Sequence, residues 1–365
     1  MARMQGWWWS FCLTGALLGG PLWAQNDAEK KDDAPAGHKT KLAIIHLDNP
    51  TGVAVNTAGN GHVFVVSKQG VFRYVPGAAG SPSKIFLEVQ GFPSDVYGKG
   101  PMYDIGPLGV TMWGTDRLIV SDGSRKDGEE VVRVYKIADK APEVNTIPKE
   151  DAAEFTLGPI APGDQSPNGE GNFYASVVWN DAIYVTSNGD DTKGWVLKAE
   201  IKDGKPGPLT PAIATKEQTG VDAPIAITVA PDKSALVIGQ GGEVNVPGDS
   251  LLTFYNSEGT ITKKYATGLH DICGLAYSPS GKLYAVDFAW VDPSQGGLFE
   301  LVIEGDTCTA KKVPLLDKEG KPLQLDRPTS LAFDKDGGLY ITVFGTGQDT
   351  GDNPKGGVIR VEPGL

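Results

Sequence analysis

A histidine beside a carboxylate, together with a later arginine, is the residue set in this chain best suited to acid–base work: His270, Asp271 and Arg327. An imidazole next to a carboxylate can act as a base near neutral pH, and a guanidinium grips an anionic or carbonyl oxygen through paired N–H groups. The same residues serve equally as a lock, with Arg327 paired to Asp271 between neighbouring elements. Two loops carry donors for a hard cation. SNGDD supplies Asn188, Asp190 and Asp191, and GQDTGDNPKGG supplies Asp349, Asp352 and Asn353. Calcium suits such flexible oxygen-rich loops, although neither forms a complete calcium-loop pattern, and solvated turns in an acidic chain are the other reading. Trp290, in DFAWVDPSQGG, offers a face for stacking on a sugar or cofactor, or else packs between elements. Asn172, Asp222 and Asp287 complete the candidate ligand-binding set. Gly-x-Ser-x-Gly, phosphate-loop, Cys-x-x-Cys and His-x-x-x-His spacings are absent from the sequence, so those chemistries have no support.

These residues can meet only if something gathers them, and an internal repeat does so. A short apolar run, a turn, a second β-rich run, a Gly-rich polar loop and a third run recur six times. The copies start at PTGVAV (Pro50), PLGVTM (Pro107), FYASVV (Phe173), APIAIT (Ala223), ICGLAY (Ile272) and PTSLAF (Pro328). Equivalent small residues are Gly52, Gly109, Ala175, Ala226, Gly274 and Ser330. Small sheets of this kind cannot cover their own faces, but six arranged radially cover one another. The expected fold is therefore all-β, a six-bladed β-propeller. A sandwich pair or a β-solenoid is the alternative. The small residues suit crowded innermost strands around a central channel. KIFLEV from Lys84, TITKKYAT from Thr260 and KKVPLL from Lys311 are candidate outer strands. The sixth copy runs out at Leu365 without one, so KLAIIHL (Lys41 to Leu47) should complete the last blade and close the ring.

In such a ring the starts of the inner strands and the ends of the second strands share one face. That rim would carry Asn49, Asn172, Asp222, His270, Asp271 and Arg327, with Asp122, Asp127, Glu243, Asp249, Asp287 and Asp292 from the second-strand loops. An acidic mouth of this kind needs a cation, a basic side chain or water to offset its like charges.

The 365 residues hold 33 Lys plus Arg against 45 Asp plus Glu, a net charge of −12, which excludes sequence-independent nucleic-acid binding. Gly and Pro total 74 (48 plus 26), a surplus of turn formers that favours short strands over helices. Residues 1–24 carry Arg3, an uncharged apolar run and Ala24, as in a secretory signal cleaved after Ala24; an uncleaved anchor is the alternative. No later segment is apolar enough to span a membrane. Residues 25–40 read as a disordered tether and residues 41–365 as the propeller domain. The product is expected to be exported, to periplasm or extracellular space, as a monomer. Cys273 falls on an innermost strand and Cys308 near an outermost one, too far apart for a disulfide.

PTGVAVNTAGNGHVFVVSKQGVFRYV resembles an NHL-type repeat. GLHDICGLAYSPSGKLYAVD is similar to segments of senescence-marker/gluconolactonase proteins and of soluble glucose/sorbosone dehydrogenases. All are six-bladed, TolB-like propellers, and the likeness covers nearly all of residues 41–365. The gluconolactonase resemblance implies a divalent metal held partly by an Asn before the inner-strand Gly, where this chain has Cys273, and by a carboxylate type that Asp287 keeps. The dehydrogenase resemblance implies pyrroloquinoline quinone beside a His base in a His-Gly-Gly context, which is absent here; His270-Asp271 loosely matches an Arg-Asn pair of that group. Three functions follow as expectations. The first is binding of a small molecule (sugar or lactone-like) or a protein ligand at the acidic mouth, without catalysis. The others are a quinone-dependent sugar dehydrogenase and a metal-dependent lactonase.

Overall fold

Every second strand of the repeat is an apolar run with almost no polar alternation, and every one is buried nearly throughout. Val63–Ser67, Ala182–Ser187, Leu236–Gln240, Leu283–Asp287 and Leu339–Val343 are buried at each position. A strand covered on both faces needs sheets on either side. The computed structural model, which describes residues 37–78, 81–189, 192–345 and 355–365, supplies them as six antiparallel sheets. Their innermost strands are Gly52–Val55, Pro107–Trp113, Phe173–Trp179, Pro224–Val229, Ile272–Tyr277 and Pro328–Phe333. Each packs on the next, and the last packs on the first, so the chain is a closed six-bladed β-propeller.

The core is correspondingly divided. Six apolar clusters lie between successive sheets, for example Phe64, Val66, Leu118 and Val120 between the first and second. Ile44, Val358 and Tyr340 of the sixth sheet pack with Val53 and Val65 of the first. Closure comes from the N-terminal strand His38–Leu47, antiparallel to Gly356–Val361 with Thr40 opposite Val361. Across the seam the Thr329 hydroxyl donates to the Pro50 carbonyl at 2.9 Å.

The small inner-strand residues are explained by how closely neighbouring blades approach. A Cβ on Gly109 would overlap the Tyr174 carbonyl oxygen, and one on Gly52 would lie 2.8 Å from the Leu108 carbonyl oxygen. The crowding is between adjacent inner strands.

Two boundaries differ from the sequence expectation. The closing strand starts at His38, inside the expected tether, because Thr40 is buried and its hydroxyl donates to the Leu316 carbonyl. The outer strand of the fifth sheet is Thr307–Lys312, which starts upstream of KKVPLL and takes in only its two lysines. The end of KKVPLL, Leu315–Leu316, instead pairs in parallel with His38 and Lys39 as a fifth strand on the sixth sheet. No disulfide joins Cys273, which is buried, and Cys308, which is half-buried. The expected signal segment, residues 1–24, lies outside the described residues.

Candidate functional site

Five of the six inner strands slip register by one residue at their start, at Pro107/Gly109, Phe173/Ser176, Pro224/Ala226, Ile272/Gly274 and Pro328/Ser330. A bulge re-aims the extra side chain. The residue preceding each small residue (Thr51, Leu108, Tyr174, Ile225, Cys273 and Thr329) lines one cavity at the head of the channel. These six equivalent positions form a collar. Tyr174 crosses the axis, its hydroxyl donating at 3.0 Å to the Thr329 carbonyl of the opposite sheet. It separates this cavity from a wider channel of about 610 Å³ below.

A hairpin that the repeat does not contain covers the collar. Asp95–Tyr97 and Tyr103–Ile105 pair between the first and second sheets. Gly98 (φ 135°) at its tip takes a backbone conformation that L side chains rarely adopt, and a Cβ there would sit 3.0 Å from the Trp290 ring. The hairpin reaches the loops of five sheets. Asn49 donates to the Asp104 carbonyl at 2.7 Å, and Lys68 pairs with Asp104 at 2.7 Å. Asn188 donates to the Tyr97 hydroxyl at 3.0 Å, and Lys99 pairs with Glu243 at 3.0 Å. Tyr103 is buried edge-on against Trp290 and Phe344, with ring centroids 5.1 and 5.2 Å away. The cavity so enclosed measures about 90 Å³ and presents almost wholly apolar surface.

Of the residues singled out from the sequence, Asn172, Asn188, Asp271 and Trp290 line this cavity. The Trp290 backbone N–H donates to Asp271 Oδ2 at 2.6 Å, and its indole N–H to the Gly100 carbonyl at 3.3 Å. Burial, reinforced by the charges of Asp287 and Asp249 and opposed by the Trp290 N–H, raises the Asp271 carboxyl to about 7. Burial also pushes the Cys273 thiol and the Tyr174 hydroxyl well up, so both stay protonated at neutral pH.

His270, Arg327 and Asp287 do not join them. His270 is outside the cavity lining. Arg327 turns to Asp326 at 3.0 Å and to the Gly345 carbonyl at 3.4 Å, so neither the catalytic trio nor the Arg327–Asp271 lock forms. A reason lies in the backbone: Arg327 is left-handed at φ 52° and opens the sixth sheet in a turn of its own. Asp287 uses both oxygens on backbone N–H groups, those of His270 at 3.0 Å and Asp271 at 2.7 Å, with Ala289 at 3.2 Å.

The rim carboxylates are offset by the protein's own donors. Asp122 pairs with Arg125 and accepts from the Ser124 hydroxyl and amide, while Asp222 meets Lys216 at 2.5 Å. Asp292 accepts from Ser294, and Asp249 accepts from the Glu243 amide. Asp127, Asp222 and Glu243 face a second, polar chamber of about 270 Å³, which shares Tyr97, Asn172, Asn188 and Val244 with the apolar cavity. Among the described residues, three of the expected rim carboxylates thus face a side chamber beside the aromatic pocket. Asp190, Asp191, Asp349, Asp352 and Asn353 lie outside the described residues. Asn188 is engaged with Tyr97, and among the described residues no three His, Cys, Asp or Glu side chains are grouped to hold a metal ion. The collar likewise does not fit a divalent cation, since Leu108 and Ile225 offer no donor and the Thr51 and Tyr174 hydroxyls donate to backbone carbonyls.

What sequence reasoning missed is the hairpin with Tyr97 and Tyr103, and the collar with Phe288 and Phe344 behind it. The collar was signalled by the residue before each repeated small residue. The hairpin was signalled by two tyrosine-bearing runs flanking Gly98-Lys99-Gly100-Pro101.

No protein-family model matches the chain, and no curated protein matches it in sequence. Solved structures do. A putative glucose-dehydrogenase-type oxidoreductase from Thermus thermophilus is 14% identical with a TM-score of 0.54, over 89% of this chain and 100% of that one. The PQQ-bound aldose sugar dehydrogenase of Streptomyces coelicolor is 15% identical with a TM-score of 0.55, over 90% and 100%. A putative gluconolactonase is 12% identical with a TM-score of 0.53, over 90% and 93%. The likeness to these enzymes is one of fold: six blades around a channel.

Proposed function

We propose that this chain is an exported propeller that binds a small molecule or a protein ligand at its mouth without catalysing a reaction. The carrying observation is the collar and hairpin cavity. It is apolar and aromatic, and its single ionisable carboxyl, Asp271, has neither His270 nor Arg327 as a partner. A pocket that buries hydrocarbon around a few polar groups suits recognition, whereas hydrolysis or hydride transfer needs a positioned base, nucleophile or cofactor. Arg3, the apolar run after it and Ala24 support export.

The test is an assay panel on the full chain, expressed with its own leader so that cleavage and compartment are read by N-terminal sequencing and fractionation. The expected result is saturable ligand-dependent change in tryptophan fluorescence, lost in Trp290→Ala. No lactone hydrolysis should occur with or without EDTA, and no dye reduction with an aldose, pyrroloquinoline quinone and calcium. EDTA-sensitive lactone turnover would establish the metal-dependent lactonase reading, and dye reduction the quinone-dependent one. Calcium binding is tested in the same panel by a shift in melting temperature.

A further inference from the structure

We infer that the occupant of the mouth is a peptide segment of a partner protein, which inserts one branched aliphatic side chain into the collar cavity and places a flanking Lys or Arg in the acidic side chamber. This rests on the binding reading above and specifies its ligand. Size comes first. An apolar cavity of about 150 Å³ admits benzene, so the inner part of this one, about 90 Å³, suits an isopropyl or isobutyl group. The lining agrees, because the hydroxyls of a sugar would lose water without gaining donors there.

The surroundings are built for something larger than the cavity. Val96, Met102, Val246 and Val291 are four of the eight large apolar side chains that stand exposed among the described residues, and all four lie on the segments that line the mouth. An apolar socket with an apolar apron is the anatomy of a protein-binding hot spot; a molecule small enough for the socket would leave the apron uncovered. Charge selects the flanks. The side chamber opening from the socket between Tyr97 and Val244 carries Asp127, Asp222 and Glu243 against two lysines, Lys99 on Glu243 and Lys216 on Asp222, an excess of one negative charge. Lys99 already shows the contact in miniature, its ammonium 3.0 Å from Glu243. A partner's Lys or Arg would take that place as the hairpin tip, Gly98-Lys99-Gly100, swings aside.

The experiment uses dye-labelled, end-blocked heptapeptides with Lys-Leu-Lys, Lys-Ser-Lys, Glu-Leu-Glu or Lys-Phe-Lys centres, titrated into the protein from Gln25 onward and read by fluorescence anisotropy. Lys-Leu-Lys is expected to bind about tenfold or more tightly than each of the other three, and to weaken with salt. In Glu243→Lys, whose position is exposed and whose fold is checked by its melting curve, Glu-Leu-Glu should overtake Lys-Leu-Lys. Equal or absent binding of the four peptides, or a wild-type preference for acidic flanks, would overturn the inference. Isoamyl alcohol quenching Trp290 while no peptide binds would overturn it too, yet leave the binding reading standing. Turnover in the assay panel would instead sink the reading beneath it.

Discussion

Two buried carboxyls make the mouth pH-sensitive, and they do so separately. Glu130 is fully buried behind Asn172, whose amide donates to it, and burial with the charges of Asp122 and Asp127 raises it to about 9. Its unfolded form ionises near the ordinary glutamate value, so native stability falls as pH rises from about 4.5 towards 9. Glu130→Gln removes that slope. The variant is expected to melt a few degrees above wild type at pH 8 and close to it at pH 5, which parallel thermal melts would check. Asp271 is the second. Because it accepts the Trp290 N–H, its ionisation near 7 should appear as a step in tryptophan fluorescence between pH 6 and 8, abolished in Asp271→Asn. An unchanged step in that variant would place the transition elsewhere. At this scale the sequence was least legible. Residue type marked Asp271 and Trp290, but whether His270 and Arg327 join them depends on backbone turns such as the left-handed one at Arg327, which residue type does not announce.

Among elements, the inner strands and the hairpin differ in how firmly they are held. Gly109 abuts the third sheet so closely that Gly109→Ala must push two blades apart. We expect a loss of ~1–3 kcal/mol in denaturant titration, with the channel residues otherwise unchanged. The hairpin, by contrast, is fixed at its base by Tyr103 and Lys68, while its tip meets the Trp290 indole and an exposed ion pair. Trp290→Ala should raise hydrogen exchange across residues 95–105 and leave the six sheets protected; equal protection would show that the tip does not depend on the indole. The repeat made the sheets legible because each copy repeats the same burial. The hairpin escaped because it belongs to no copy. KKVPLL was misplaced for a related reason: its apolar pair Leu315 and Leu316 serves the next sheet, a choice decided by tertiary pairing with His38 and Lys39.

For the whole molecule, ring closure was the most legible feature, since a sixth copy without an outer strand and an unassigned strand upstream of the first copy can only complete each other. Removal through Leu47 therefore uncovers Val358 and Ile359 and is expected to lower the melting temperature by ~10 °C or more, or to leave the protein insoluble. The seam has one further consequence. The strand His38–Leu47 leaves the ribosome before the other strands of the ring and is the last of them to find its neighbour, because Gly356–Val361 is made some three hundred residues later. Until then the pairing edge of this strand is open and Ile44 and Leu47 have only the first sheet for cover, so during synthesis this chain should rely on a holding chaperone, and its refolding yield should be limited by that one late event.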